Sequence, residues 1–185
     1  MNATELEHLI RAAAAITGDE IVVIGSQSVL GAEDEPPAEM LDSMDADLYP
    51  LGVPARAIDI DGALGEGSAF HEQFGYYGHG VGPETPIPPA GWEARLTRKV
   101  YPATDLWKAP AVAWFLGVDD LVLSKLAAGR PKDFAFVESA IRSGLVQMEN
   151  LELGVELMPD SHREITRERL ATAAANADRL ADGTS

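Results

Sequence analysis

The sequence of 185 residues contains no cysteine, which excludes disulfides, thiolate metal sites and a cysteine nucleophile. Its apolar runs fall short of the roughly 20 residues that span a membrane. Its first residues lack the basic-then-apolar pattern of a signal peptide. A chain of this length buries about 70% of its unfolded surface, so it needs no covalent staple. We therefore expect a cytoplasmic protein that has no membrane partner.

Basic residues are scarce: 14 Lys and Arg face 30 Asp and Glu, for a net charge of -16. Such a surface repels phosphate backbones, which argues against binding of extended duplex nucleic acid. Residues 33–61 hold nine acids and one base, whereas residues 92–142 carry a net charge of +2. Clustered carboxylates opposite a less acidic half suit a divalent cation and an anionic ligand. A solvated acidic loop is the alternative interpretation.

Hydrophobic periodicity predicts the elements of the N-terminal half. A capping box of Thr4 and Glu7 opens an amphipathic helix. Residues 21–24 are wholly apolar and β-branched, as expected of a buried strand. Residues 45–49 and 57–61 alternate acidic and apolar side chains, which predicts two strands that each carry their acids on one face.

The second half is predicted to be a largely helical region behind an irregular segment. Residues 62–90 are rich in Gly, Pro and aromatics, so we expect an insertion with little regular structure. Residues 111–116 form a further strand candidate. Three more helices are predicted: one from Asp119 or Asp120 to Ala128, one from Pro131 to Gly144, and one opened by a capping box of Ser161 and Glu164. Together these elements predict an α/β (α+β) fold with a short mixed β-sheet flanked by helices, divided into a domain over 1–145 and a C-terminal helical extension over 146–185.

One group of residues carries chemistry: a Gly-Ser turn after the buried strand and an Asp-x-Asp on the next. Gly25 lets a phosphate approach the backbone, and Ser26 supplies a hydroxyl and N–H groups that favour anions. Asp45 and Asp47 point the same way, about 7 Å apart along the strand. Two such carboxylates can share one or two Mg²⁺ ions that bridge the phosphates of a nucleotide. Asp61, or alternatively Asp59, is the candidate third carboxylate.

Lys125 is the only charged residue between Asp120 and Arg130 in a helix that is otherwise largely apolar. A lysine on such a face either extends to water or reaches into a polar cleft, and we favour the cleft. The stretch from Arg130 to Asp133 has an ordinary alternative as a turn with a local ion pair. Among the histidines, His71 is a candidate base or substrate contact or, more simply, a hydrogen-bonded structural residue, and His79 is expected at the surface.

These residues resemble a known family. Gly25-Ser26 with Asp45-Ala46-Asp47 is similar to the metal-binding signature of the nucleotidyltransferase superfamily, which has a DNA polymerase β-like fold. The segment DLVLSKLAAGRPKD at 120–133 resembles that of bacterial nucleotidyltransferase-like proteins allied to AbiEii toxins of toxin–antitoxin systems. Residues 60–77 resemble an uncharacterised branch of the same proteins. The resemblance covers residues 21–141 and implies a nucleotidyltransferase-like sheet.

The resemblance also implies roles for individual residues. The catalytic residues would be Asp45, Asp47, Asp61, Lys125 and Asp133, and the first three of these would bind one or two Mg²⁺ ions. Nucleotide phosphates would contact Gly25, Ser26, Lys125 and Arg130. Asp133 would orient Lys125 or assist the acceptor.

Two functional hypotheses follow from these residues. The first is a Mg²⁺-dependent nucleotidyltransferase that moves a nucleoside monophosphate from an NTP to an acceptor, which is RNA, protein or a small molecule. The resemblance extends this hypothesis to a toxin-like protein controlled by an antitoxin protein. The second is a catalytically inactive module of the same fold that binds nucleotide or a protein partner. A third carboxylate close to Asp45 and Asp47, with Lys125 lining the same cleft, would favour the first.

Overall fold

Five strands form one mixed sheet in the structure, a computed structural model that describes residues 1–181 and 183. The strands are β1 (Ile21–Ile24), β2 (Asp45–Pro50), β3 (Tyr77–Gly80), β4 (Thr97–Tyr101) and β5 (Ala111–Phe115). Their order in the sheet is β3-β2-β1-β5-β4. The central strand β1 runs antiparallel to β2 and parallel to β5, while β2–β3 is parallel and β4–β5 antiparallel. The predicted mixed sheet is confirmed.

Helices cover the sheet and extend the fold beyond it. They are α1 (Ala3–Thr17), α2 (Ala57–Leu64), α3 (Ala69–Phe74), α4 (Val118–Ala128), α5 (Pro131–Arg142), α6 (Met148–Val155) and α7 (Asp160–Ala181). Helices α1 and α2 pack against the sheet, and α4 contacts α5, α6 and α7. The α/β class with a sheet flanked by helices is therefore confirmed.

All four residues of β1 are fully buried, as their apolar run predicts. One hydrophobic cluster connects this strand to Leu121 in α4, to Leu151 in α6 and to Leu170 in α7. The C-terminal helices thus share the core of the sheet domain. The division at residue 145 stays a prediction, and residues 182, 184 and 185 of the proposed extension lie outside the described residues.

The strand predicted over residues 57–61 is wrong, because these residues begin α2. Ala57, Ile60 and Leu64 are its buried residues, a spacing typical of one helix face, whereas Ile58 is exposed. Alternation over only five residues is compatible with both the two-residue period of a strand and the 3.6-residue period of a helix. The buried Leu64, one turn further on, fits only the helix. Consequently Asp59 and Asp61 lie on a helix and not on a strand beside β2.

Three helix starts differ from the predicted caps. Asn2, not Thr4, caps α1, because its side chain accepts from the Glu5 N–H while Glu5 accepts from the Asn2 N–H. Gly117 precedes α4 without a side-chain cap, so Asp119 and Asp120 lie within its first turn. The last helix begins at Asp160, and the Ser161–Glu164 box falls inside it. Side-chain capping competes with tertiary contacts, and short signals cannot rank the two.

The segment 62–90 contains more regular structure than expected, since it includes the end of α2, all of α3 and the edge strand β3. Two glycines in β3 explain why the sequence does not predict a strand there. A Cβ at Gly80 would lie 1.9 Å from the carbonyl oxygen of Ala57, and one at Gly78 would lie 3.3 Å from Leu48. These glycines do not mark a loop. They allow β3 to pack closely on α2 and on the neighbouring strand β2.

Helices of the length and apolarity needed to cross a membrane do not occur in the described part of the chain.

Candidate functional site

The turn after β1 forms one wall of the candidate site. Gly25 has φ 70° and ψ -165°, a backbone conformation essentially restricted to glycine. A Cβ on this residue would lie 2.2 Å from Oδ2 of Asp47. Gly25 is thus required both by its conformation and by the carboxylate packed against it. Ser26 follows as the first residue of a short 3₁₀ helix that ends at Gly31.

Sheet register brings the two predicted acids to this turn. Asp47 on β2 lies opposite Ile24, the last residue of β1. Asp45 lies two residues earlier on the same face, and both side chains are half-buried while Ala46 and Leu48 point into the core. The hydroxyl of Ser43 donates to Oδ1 of Asp45. The prediction that these acids share one face of a strand is confirmed.

A histidine completes the group. His79 on β3 is opposite Asp47 in the parallel pairing, and its Nδ1 lies 3.2 Å from Oδ1 of Asp47. One ligand atom from each of Asp45, Asp47 and His79 can be chosen so that all lie within 4.8 Å of one another. The sequence places His79 only at the surface, because it predicts little regular structure around β3. An alternating Tyr-Gly-His-Gly pattern is the available signal, and its glycines obscure it.

Asp61, the predicted third carboxylate, is not brought into this group. It lies on α2, and its Oδ1 accepts a hydrogen bond of 3.3 Å from the backbone N–H of Gly80. There it fastens the end of β3 to α2, one residue beyond His79. Among the described residues, the third potential ligand that the structure places beside Asp45 and Asp47 is an imidazole and not a carboxylate.

Lys125 reaches into the cleft, which is the alternative that the sequence favours over extension into water. Its side chain is only 6% exposed, and its Nζ donates to Ser26 Oγ at 2.8 Å and lies 3.3 Å from Oδ1 of Asp133. The ammonium also lies 4.3 Å from the centre of the Phe136 ring, in reach of a cation–π interaction. Burial lowers the pKa of Lys125, while Asp133 acts to raise it. The lysine therefore links the Gly-Ser turn to α5.

Asp133 is fully buried and holds two cations. Besides Lys125, it accepts from Nε of Arg130 at 2.7 Å and from the Arg130 backbone N–H at 3.2 Å. Burial alone would raise the pKa of Asp133, but the hydrogen bond from Arg130 and the charge of Lys125 outweigh it and lower the pKa. This position fits the orienting role implied for Asp133. The local ion pair considered for Arg130 is present, and Arg130 also lines the cleft.

The Gly-Ser turn, the two acids of β2, His79, Lys125 and Arg130 line a single cleft of about 460 Å³. Its size falls in the range of small-molecule and cofactor sites, about 300–1,000 Å³. Pro86 and Ile87, from the segment after β3, form an apolar part of the wall, and the backbone N–H of Ile87 donates to Ser124 Oγ at 3.0 Å. The titratable groups that line it are Asp45, Asp47, His79, Lys125, Arg130 and Lys132. The cleft thus places a carboxylate pair opposite three basic side chains.

The donor set fits a divalent metal ion. Two ligands that bind one ion at right angles, each about 2.1 Å from it, lie about 3 Å apart. His79 Nδ1 and Asp47 Oδ1, 3.2 Å apart in direct polar contact, are close enough to bind one ion together. Burial and the charge of Asp45 raise the pKa of Asp47. Interactions with His79 and Lys125 act to lower this pKa but do not cancel the rise. A cation between these groups would relieve the repulsion between the two carboxylates.

A mixed sheet with a Gly-Ser turn beside two carboxylates is the arrangement that the sequence resemblance implies for nucleotidyltransferases. Residues 4–173 match the family model described as "Nucleotidyltransferase of unknown function (DUF6036)". Because this match covers most of the chain, the protein belongs to that family. Neither a curated protein nor a solved structure matches the chain.

Proposed function

We propose that this protein is a metal-dependent nucleotidyltransferase that transfers a nucleoside monophosphate from an NTP to an acceptor. The observation that carries the proposal is that Asp45 and Asp47 line the same cleft as Ser26 and Lys125. One pair of groups suits a divalent cation and the other a phosphate chain. Membership of a nucleotidyltransferase family supports the same assignment.

Each residue of the cleft has a distinct part in the proposed reaction. Asp45 and Asp47 would hold Mg²⁺ or a similar ion, which would supply charge neutralisation and polarisation of the α-phosphate when bound. Ser26 and Lys125 bind oxygens of the triphosphate, and Asp133 keeps the lysine directed into the cleft. Gly25 leaves space for Asp47 beside the turn. An acceptor hydroxyl oxygen would attack the α-phosphorus and lose its proton to solvent, while the bond between the α-phosphorus and the β-phosphate oxygen would break and release pyrophosphate.

A transfer assay tests this proposal. The protein is incubated with each NTP labelled in the α-phosphate, a divalent metal, and separate fractions of cellular RNA, protein and small molecules. We expect labelled nucleotide to appear in one fraction together with pyrophosphate. The Asp45→Asn, Asp47→Asn double variant should lose this transfer, whereas Asp42→Asn, at an acid on the preceding loop, should retain it. Nucleotide binding without transfer to any fraction would instead indicate the inactive binding module.

A toxin-like role with an antitoxin partner is a further part of the proposal, supported by the resemblance of residues 120–133 to AbiEii-type proteins. Induced expression in a bacterial host tests it. Growth arrest by the wild type but not by the double variant is the expected outcome, and unaffected growth at equal protein level would contradict it.

A further inference from the structure

The potential metal ligands of this protein include the imidazole nitrogen of His79, which the fold places beside Asp45 and Asp47. His79 is opposite Asp47 in the β2–β3 pairing, so both side chains emerge on the same face of the sheet. On either side of it, Gly80 has no room for a Cβ and Gly78 has little, because β3 packs so closely on its neighbours. With β3 packed in this way, the backbone of His79 is held beside that of Asp47.

Within the described structure, the imidazole of His79 has one polar partner, and that partner is itself a potential metal ligand. Its polar contact is the one with Asp47, and its side chain is 55% exposed at the cleft that it lines. In contrast, His8 is engaged by the hydroxyl of Tyr76 at 2.7 Å, and His71 accepts from the backbone N–H of Gly67 at 3.0 Å. His79 is thus the histidine whose ring is available to a ligand of the cleft.

A nitrogen ligand changes which metal the site prefers. Mg²⁺ is a hard ion that takes oxygen ligands and keeps much of its water. Imidazole nitrogen favours first-row transition ions, whose affinity for mixed nitrogen and oxygen sites increases from Mn²⁺ toward Cu²⁺. Two carboxylates and one imidazole therefore bind such ions better, relative to Mg²⁺, than three carboxylates would.

We propose that His79 is the third metal ligand of the site and that it makes the site select a first-row transition ion, for which Mn²⁺ is the probe, over Mg²⁺. The inference rests on the proposed function, because it concerns the metal held by Asp45 and Asp47. It replaces the expected carboxylate Asp61, which instead holds the backbone of Gly80.

Pulsed electron paramagnetic resonance of bound Mn²⁺ tests the nitrogen ligand directly. The full chain is loaded with Mn²⁺ at one fixed, mildly alkaline pH, with and without a nucleotide analogue that cannot be cleaved between its α- and β-phosphates. Wild type should show coupling of the Mn²⁺ electron spin to an imidazole nitrogen. His79→Asp and His79→Gln should lose this coupling, and His162→Gln, a matched change on α7, should keep it.

Competition between the two metals tests the selectivity. Mg²⁺ is titrated against bound Mn²⁺, and the ratio of the two dissociation constants is compared between variants. His79→Asp should shift this ratio toward Mg²⁺ by about tenfold or more, since changes in even the outer contacts of a metal site cost at least that much. His162→Gln should leave the ratio unchanged.

The outcomes separate this inference from the proposed function. Mn²⁺ that binds through Asp45 and Asp47 without nitrogen coupling, or with a ratio that His79→Asp does not move, overturns the role of His79 alone. Failure of wild type to bind Mn²⁺ both with and without the nucleotide overturns both. Circular dichroism of each variant shows that any loss does not come from unfolding.

Discussion

Asp133 shows how single residues prepare the cleft, since a fully buried carboxylate holds both Lys125 and Arg130. Lys125 in turn donates to Ser26, so a continuous chain of polar contacts runs from α5 to the turn after β1. Taking away one member of a buried ionic group leaves the remaining charge without compensation. At the scale of residues, the cleft is therefore held together by charge as well as by packing.

Asp133→Asn should destabilise the protein by about 3 kcal/mol at neutral pH, because Lys125 would lose its buried partner. The folded-state pKa of Asp133 is lower than its unfolded value. Its ionised form therefore stabilises the fold above the unfolded pKa, and this contribution is lost as pH falls through the folded pKa. The difference in unfolding free energy between wild type and variant should therefore decrease as the pH drops below about 4. Urea unfolding over a pH series measures it, and a gap that is independent of pH would contradict this role of the carboxylate.

Gly25→Ala should weaken Mn²⁺ binding by at least about tenfold, because a Cβ there meets Oδ2 of Asp47 at 2.2 Å. Gly18→Ala is the matched control, since Gly18 also has a positive φ, 69°, but has open space around its Cβ position. We expect the control to lose about 1 kcal/mol of stability and no metal affinity. Calorimetry with Mn²⁺ distinguishes the two variants. Equal metal affinity in both would show that Asp47 does not depend on the glycine.

At the scale of elements, the sequence alone predicts the parts that have a clear local signal. The acidic strand β2 follows from its alternation, the buried strand β1 from its wholly apolar run and the helix around Lys125 from its boundary residues, and with them most of the cleft. Helix α2 is mistaken for a strand because five alternating residues do not separate the two periods. The strand β3 escapes prediction because Gly78 and Gly80, which permit its close packing, are typical of loops. His79 is missed as a candidate ligand together with that strand.

The segment before β4 is tied to α4 by a bidentate ion pair. Arg95 donates from Nε to Asp120 Oδ2 at 2.9 Å and from Nη2 to Oδ1 at 2.8 Å, and the Asp120 side chain is only 5% exposed. This contact explains why Asp120 lies inside the helix and not at its cap. It also anchors the chain that follows the Ile87 wall of the cleft.

Asp120→Asn should lower the free energy of unfolding by about 2 kcal/mol, because it weakens two charged hydrogen bonds at a buried position. Asp34→Asn is the matched control, since Asp34 pairs with Lys99 but is 72% exposed. The control should change stability by less than about 0.5 kcal/mol. Chemical denaturation of both variants provides the comparison. Equal effects would mean that burial of the Arg95 pair contributes nothing.

At the scale of the whole molecule, the charge of -16 limits the anionic ligands that can approach the cleft. The cations that line it, such as Lys125 and Arg130, are few and are partly engaged by Asp133. A small anion would meet mainly these cations, whereas a long phosphate backbone would also meet the acidic exterior. The molecule thus favours a small anion over a polyanion.

Labelled single-stranded RNA and duplex DNA should show no saturable binding up to about 100 μM protein at physiological salt. Replacing the exposed Glu33 and Glu35 by lysine should introduce weak binding that salt removes, because this change reverses charge in the acidic loop. Fluorescence anisotropy measures both. Salt-sensitive micromolar binding by the wild type would contradict this prediction and favour an RNA acceptor.

We propose that Asp45, Asp47 and Lys125 form one site for a metal–nucleotide complex. Calorimetric titration with uncleavable analogues of the four NTPs, with and without Mn²⁺, tests it most directly and needs no knowledge of the acceptor. We predict metal-dependent binding of at least one analogue, lost in the Asp45→Asn, Asp47→Asn variant and weakened about tenfold or more in Lys125→Met. Folded wild type that binds none of the four, or binds equally well without metal and without the two carboxylates, would contradict the claim.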